Sequence, residues 1–137
     1  MRKLFTFFVA LCVTSLWAET VTWEGMELNM INLEDGWENT YSNQGVTLRV
    51  NTGSVESGRY FSSGNYTFSS EEGTFSRIEI MAGYGNTNGD GWQYLGPPFV
   101  WEGSASEVSF NGSLGDVGRI VFTLGSGSSS SCGVNTI

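Results

Sequence analysis

Hydrophobic and polar residues alternate in several short segments of this chain. The clearest pair is residues 101–110, W-E-G-S-A-S-E-V-S-F, and residues 119–124, R-I-V-F-T-L. Residues 46–50, V-T-L-R-V, follow the same rule. A period of two residues places successive side chains on opposite faces of a β-strand. We therefore predict that residues 101–110 and 119–124 form strands that pair with each other.

Further alternating or aromatic segments predict strands at residues 20–23, 26–31, 59–61, 66–69, 75–81, 92–95 and 99–102. Gly64-Asn65 predicts a two-residue hairpin turn, and residues 32–44, 51–58 and 82–91 read as connections. About eight or nine short strands with no helical periodicity predict an all-β fold, either an antiparallel β-sandwich or a closed antiparallel sheet. The inward-facing positions give this predicted core: Val21, Trp23, Val46, Leu48, Val50, Tyr66, Phe68, Ile78, Ile80, Phe99, Trp101, Val108, Phe110, Ile120, Phe122 and Leu124.

The two ends of the chain differ in composition from the middle. Residues 1–18 carry a basic start, an apolar run of about ten residues and a final Ala18, which is the layout of a secretory signal peptide. That run is shorter than the roughly 20 residues that span a bilayer. We expect a secreted protein, periplasmic or extracellular, with no membrane insertion after cleavage. Residues 19–124 are the predicted β-sandwich domain, and residues 125–137 are a flexible Gly/Ser-rich tail that contains Cys132.

The order of three sequence segments between residues 78 and 124 matches a pattern found in other proteins. The order I-E-I at residues 78–80, then W-E-G-S-A-S-E-V-S-F, then R-I-V-F-T-L resembles small β-rich modules of secreted proteins from gut-type bacteria, which show I-x-I, W-x-G-x-A-x-x-V-x-F and I-x-F. The resemblance covers about half of the mature chain. It implies a jelly-roll-like antiparallel β-sandwich and supplies no site residues, because most of those modules have no assigned activity.

The charge balance excludes two classes of partner. After removal of residues 1–18, four arginines against fourteen carboxylates give a net charge of −10. Such a surface repels phosphate backbones and anionic lipid headgroups. We therefore expect neither nucleic-acid binding nor membrane-surface binding.

The absence of histidine narrows the chemistry further. It excludes Ser-His-Asp and Cys-His catalysis and histidine-based zinc sites. A carboxylate pair for glycoside hydrolysis needs only Asp or Glu, so Asp90 with Glu102 or Glu79 stays a candidate pair. We predict that the protein is not an enzyme, with a small glycosidase as the less favoured alternative.

Residues 86–91, N-T-N-G-D-G, match the first half of a calcium-binding loop. The bidentate glutamate expected at the twelfth position of such a loop is replaced by Pro97, and Asp90 is the only charged residue of the segment. A Gly/Asn turn is therefore the preferred interpretation. Structural calcium at Asp90 is the alternative, and no other cofactor is predicted.

Aromatic residues that fall outside core positions give the positive functional hint. Sugar rings present C–H faces that pack on flat aromatic rings, and neighbouring amides and carboxylates bind the hydroxyls. The predicted ligand-binding residues are Tyr84, Asn86, Asn88, Asp90, Trp92, Gln93 and Tyr94. The sequence therefore predicts a secreted, non-catalytic module that binds a glycan or cell-surface partner. The alternatives are a structural or adhesion protein that binds other proteins by edge-strand addition, or aromatics that merely cap the ends of a sandwich.

Overall fold

The computed structural model describes residues 19–93 and 96–125. The predicted signal peptide, Tyr94 and the tail beyond residue 125 with Cys132 lie outside these residues. The described chain forms eleven strands and one helical turn. In order these are β1 (Glu19–Glu24), α1 (Met26–Asn29), β2 (Leu33–Glu34), β3 (Thr40–Asn43), β4 (Val46–Thr52), β5 (Ser54–Glu56), β6 (Tyr60–Ser70), β7 (Thr74–Met81), β8 (Tyr84–Asn88), β9 (Phe99–Ala105), β10 (Glu107–Gly115) and β11 (Arg119–Gly125).

The strands make two antiparallel sheets that pack face to face. One sheet has four strands in the order β1-β11-β7-β9. The other has seven, with β2-β5-β6-β10-β8 as its main path and β3-β4 also attached to β6. The predicted antiparallel β-sandwich is confirmed. The strand count exceeds the predicted eight or nine because the short strands β2, β3, β5 and β8 lie in segments that were predicted as connections.

The hydrophobic alternation identifies a large part of the core. All sixteen residues predicted to face inward are buried. Phe122 on β11 links the layers, because its ring meets Trp23 of its own sheet at 4.9 Å and Phe68 of the opposite sheet at 5.1 Å. Each such side chain contributes about 1.5–3 kcal/mol when fully buried.

The predicted pairing of residues 101–110 with residues 119–124 is wrong. The chain bends at Ser106 and passes from one sheet to the other, so that β9 lies in the four-stranded sheet and β10 in the seven-stranded sheet. Strand β11 pairs instead with β1 and β7. The apolar positions change phase across this bend, from Trp101 and Ala105 to Val108 and Phe110. The pattern reports which face is buried without reporting which strand lies alongside.

Two other local predictions are also corrected. Residues 59–69 form no hairpin at Gly64-Asn65; a single strand, β6, runs through both residues. A Cβ at Gly64 would lie 2.2 Å from the carbonyl oxygen of Thr52, so this glycine allows close approach of two strands. Residues 26–31 do not extend β1, because α1 turns the chain there and buries Leu28. No helix within the described part of the chain is long and apolar enough to cross a membrane.

Candidate ligand-binding face

The Gly- and Asn-rich segment that was predicted as a loop contains strand β8, at the edge of the seven-stranded sheet. Its partner is β10, with Asn88 opposite Asn111 and Asn86 opposite Ser113. Alternate residues of a strand share a face, so Tyr84, Asn86 and Asn88 lie on the solvent side while Thr87 is buried between the sheets. We call this solvent side of the seven-stranded sheet the outer face. Three of the predicted site residues therefore share one surface.

Four asparagines cross the outer face in one line, which we call the asparagine row: Asn51, Asn65, Asn111 and Asn88. They come from β4, β6, β10 and β8. Nδ2 of Asn51 donates to Oδ1 of Asn65 at 2.6 Å, and Nδ2 of Asn65 donates to Oδ1 of Asn111 at 2.9 Å. Nδ2 of Asn88 donates to the carbonyl oxygen of Asn111 at 3.1 Å.

Groups beneath and beside the row hold it in place. The buried hydroxyl of Thr67 accepts a 2.8 Å hydrogen bond from Nδ2 of Asn51 and lies 2.8 Å from the hydroxyl of Ser109. Nε of Arg49 donates to Oδ1 of Asn51 at 2.9 Å. A polar network whose members orient one another presents its remaining donors and acceptors in fixed directions.

A concavity of about 400 Å³ begins at this row, and we call it the asparagine groove. It extends past the end of β8 to the turn that holds Asp90, along the β10 residues Glu107 and Ser109, and reaches Trp101 of β9. The groove is lined by amide, hydroxyl and carboxylate groups beside a small apolar wall.

A second concavity of about 230 Å³ lies at the other end of β8 and β10. Its lining includes Tyr60, Tyr84, Glu56, Ser62 and Ser113, and we call it the tyrosine cleft. Tyr60 and Tyr84 are 48% and 62% exposed as residues, so both are accessible to a ligand. They belong to β6 and β8, the two neighbours of β10, which places their backbones about 10 Å apart at the usual strand spacing.

A glycine sets the position of the Tyr84 ring. Gly115 pairs with Tyr84 in the β8–β10 register, and a Cβ on Gly115 would lie 2.0 Å from Cζ of that ring. The ring therefore lies across β10 over the missing side chain. Any side chain at this position would displace it.

The structure changes the role of Trp92. Its side chain is only 8% exposed, its indole Nε1 donates to the carbonyl oxygen of Ser109 at 3.0 Å, and its ring packs on Phe110 at 5.4 Å. The expectation that Trp92 offers an open stacking surface is corrected, because both its apolar ring and its polar N–H already have partners. Among the other predicted residues, Gln93 donates to Oε1 of Glu102 at 2.9 Å, and Tyr94 lies outside the described residues.

The carboxylates of the enzyme and calcium hypotheses occupy different surroundings. Arg77 binds both Glu102, at 2.7 Å, and Glu79, at 3.4 Å, on the four-stranded sheet. Asp90 is exposed in the turn after β8 and lines the asparagine groove. Over residues 19–93 and 96–125, no group of three or more Asp, Glu, His or Cys side chains is gathered as a metal site would require. The carboxylate-pair and calcium hypotheses stay predictions.

Edge-strand addition requires an open strand edge, and one of the outer edges is covered. Residues 91–93 lie along β9, where Gln93 N donates to Val100 O at 2.8 Å and Glu102 N donates to Gly91 O at 3.2 Å. This contact satisfies backbone groups that a partner strand would otherwise bind. The edge-strand hypothesis stays a prediction, without support from β9.

Several residues of this face were missed from the sequence, among them Tyr60, Glu56, Asn65 and Asn111. Residues 65–69, N-Y-T-F-S, signal an outward polar side by their alternation. Their position beside β8 depends on strand pairings that the alternation does not encode. Comparison with protein-family models, with curated proteins and with solved structures found no match to this chain.

Proposed function

We propose that this protein is a secreted, non-catalytic module that binds a carbohydrate on the outer face of its seven-stranded sheet. The observation that carries the proposal is the tyrosine cleft, where Tyr60 and Tyr84 expose their rings on either side of β10. Secretion rests on the signal-peptide layout of residues 1–18.

The groups around the two rings suit a sugar. Stacking on an aromatic ring favours the apolar face of a pyranose, while the ring hydroxyls need both donors and acceptors at the edge. Glu56 supplies a carboxylate acceptor, and Ser62 and Ser113 supply hydroxyls that donate or accept. An apolar ligand would cover the Glu56 carboxylate without offering it a hydrogen-bond donor.

Charge favours a neutral saccharide over an anionic one. Glu56 lies in the tyrosine cleft, and Glu107 and Asp90 line the asparagine groove. The nearest cation in sequence to the cleft, Arg59, lies 3.7 Å from Asp116. Like charges on protein and ligand would lower both the association rate and the affinity for uronic acid or sulfated polymers.

The experiment measures retention by polysaccharides in native affinity electrophoresis. The panel contains cellulose derivative, xylan, mannan and mixed-linkage glucan as neutral polymers, with polygalacturonate as the anionic one. Tyr84→Ala and Tyr60→Ala remove one ring each. Met26→Ala is the matched control, because Met26 is 79% exposed and lies on α1, outside both concavities.

We expect the wild type and Met26→Ala to be retained by at least one neutral polymer and not by polygalacturonate. Each tyrosine variant should bind at least about tenfold more weakly, the usual effect of truncating an aromatic anchor, with an unchanged melting temperature. Absence of retention by every polymer, or equal retention of all four proteins, would contradict the proposal.

A further inference from the structure

We infer that the ligand is a linear oligosaccharide that runs along β10 and fills both the tyrosine cleft and the asparagine groove. This inference rests on the proposed function and extends it from a sugar to a chain of sugars. It makes the asparagine row a second subsite, separate from the stacking rings.

The first argument is the shared surface. Outward residues of β6, β8 and β10 line both concavities, with Ser113 of β10 in the cleft and Asn111 of β10 in the groove. Tyr84 and Asn88 are four residues apart on β8, as are Asn111 and Gly115 on β10. At about 3.4 Å per residue, the two subsites lie roughly 14 Å apart along the strands. One sugar ring does not bridge that distance, whereas a short chain does.

The second argument is that the sheet surface between the two subsites carries only short or flat-lying side chains. The outward positions between them on β8 and β10 are Asn86 and Ser113. Oδ1 of Asn86 accepts a 3.1 Å hydrogen bond from the backbone N–H of Ser113, which draws the amide onto the sheet. Ser113 is itself short. No bulky side chain of these two strands interrupts the path from Tyr84 to Asn88.

The third argument is the different chemistry of the two ends. The cleft offers two rings, which suit stacking. The groove offers the side-chain amide of Asn111, whose Oδ1 accepts from Asn65, together with the Ser109 hydroxyl and the Asp90 carboxylate, and these groups suit hydrogen bonding to hydroxyls. When one chain reaches both, binding at the second subsite becomes intramolecular and strengthens the complex without a new type of contact. Affinity should therefore rise with chain length until both subsites are filled and then level off.

The test uses size-fractionated fragments of whichever neutral polysaccharide retains the wild type, titrated by isothermal calorimetry. Asn111→Ala removes the central amide of the row. Asp90→Ala alters the far side of the groove without touching the row, and it keeps the backbone carbonyl that accepts a 3.0 Å hydrogen bond from Nε1 of Trp101. Asn29→Ala, an exposed asparagine on α1, is the control.

We expect the wild type to bind the longest fragments at least about tenfold more tightly than the shortest. Asn111→Ala should lose about threefold to tenfold for the long fragments, the effect of one or two hydrogen bonds, and nothing for the short ones. Asp90→Ala should show the same selective loss if Asn111→Ala does not fold. Tyr84→Ala should weaken binding at every length.

The outcomes separate the two proposals. If Tyr84→Ala weakens binding while chain length and both groove variants have no effect, the extended ligand is overturned and the tyrosine cleft alone binds the sugar. If Tyr84→Ala binds every fragment as the wild type does, the proposed function itself is overturned. If Asn29→Ala loses as much as Asn111→Ala, the loss is unrelated to the row, which also overturns the second subsite.

Discussion

Replacement of Trp92 by alanine should destabilise the protein severely without acting on a ligand directly. The indole is 8% exposed, packs on Phe110 at 5.4 Å and donates to the carbonyl oxygen of Ser109 at 3.0 Å. Its removal leaves a cavity beside Phe110 and an unpaired carbonyl on β10. Both consequences lower the free energy of unfolding.

The loss of stability in Trp92→Ala combines the lost burial of the indole with the cavity that remains. Together these cost about 3–5 kcal/mol when a buried tryptophan is truncated to alanine. That total is a large part of the 5–15 kcal/mol by which domains are usually stable. Trp92→Phe keeps most of the apolar ring and removes the indole N–H, so the carbonyl oxygen of Ser109 loses its donor at a cost of about 1–3 kcal/mol.

The assay is urea unfolding of wild type, Trp92→Ala and Trp92→Phe, followed by far-ultraviolet circular dichroism. Trp37→Ala is the matched control, because Trp37 is 74% exposed and its loss should change stability by at most about 0.5 kcal/mol. The expected order of stability is wild type and Trp37→Ala, then Trp92→Phe, then Trp92→Ala. If Trp92→Ala were as stable as Trp37→Ala, the buried, structural role of Trp92 would be refuted.

Two further predictions address the Tyr84 ring and a buried phenol. Gly115→Ala should force the Tyr84 ring to move by about 1.4 Å, from 2.0 Å to ordinary contact, and weaken polysaccharide retention, while Gly118→Ala, with no atom within 4 Å, should bind like the wild type in the same gels. Equal retention of both glycine variants would show that the position of the Tyr84 ring does not affect polysaccharide binding. Burial raises the pKa of Tyr66 above its ordinary value of 10.0, so the folded state keeps this proton longer than the unfolded chain and stability should fall as the pH rises past about 10. Urea unfolding at alkaline pH should show this loss in the wild type and less of it in Tyr66→Phe; an identical pH dependence would contradict the assignment.

The inward faces of the strands were predictable because one physical rule governs them. A side chain every second residue must be apolar if one face of a strand is buried, and this rule identified residues from Val21 to Leu124 without error. It missed ten other buried hydrophobic residues in the described part of the chain, the 26 buried minus the 16 predicted. One of them is Phe75, which is buried although its spacing from Ile78 breaks the alternation. A register shift between Phe75 and Arg77 turns Phe75 inward, and such a bulge leaves no periodic signal.

Strand partners were not predictable from the same rule. Residues 101–110 were predicted as one strand, yet the chain bends at Ser106 and contributes to both sheets. Which strands pair depends on the connections between strands and on side-chain packing across the whole domain. The pattern of one strand reports only its own two faces.

The site was partly predictable for a related reason. Tyr84, Asn86 and Asn88 were grouped by composition, and they do share the outer face. Their glycine-rich surroundings predicted a loop, whereas Gly85 allows β8 to approach β10 so closely that a Cβ would lie 2.2 Å from the carbonyl oxygen of Ser113. Tyr60 reaches the same cleft from a distant segment, which no local pattern indicates.

The most direct test of the account is nuclear magnetic resonance mapping of a retained neutral oligosaccharide on isotope-labelled protein. The account predicts chemical-shift changes that concentrate at outward positions of β6, β8 and β10, including Tyr60, Tyr84, Ser113 and Asn111. The exposed side of the four-stranded sheet, around Arg77 and its two glutamates, should remain unchanged. Shift changes confined to the four-stranded sheet, or to the strand edges, would contradict the claim that the outer face binds the ligand.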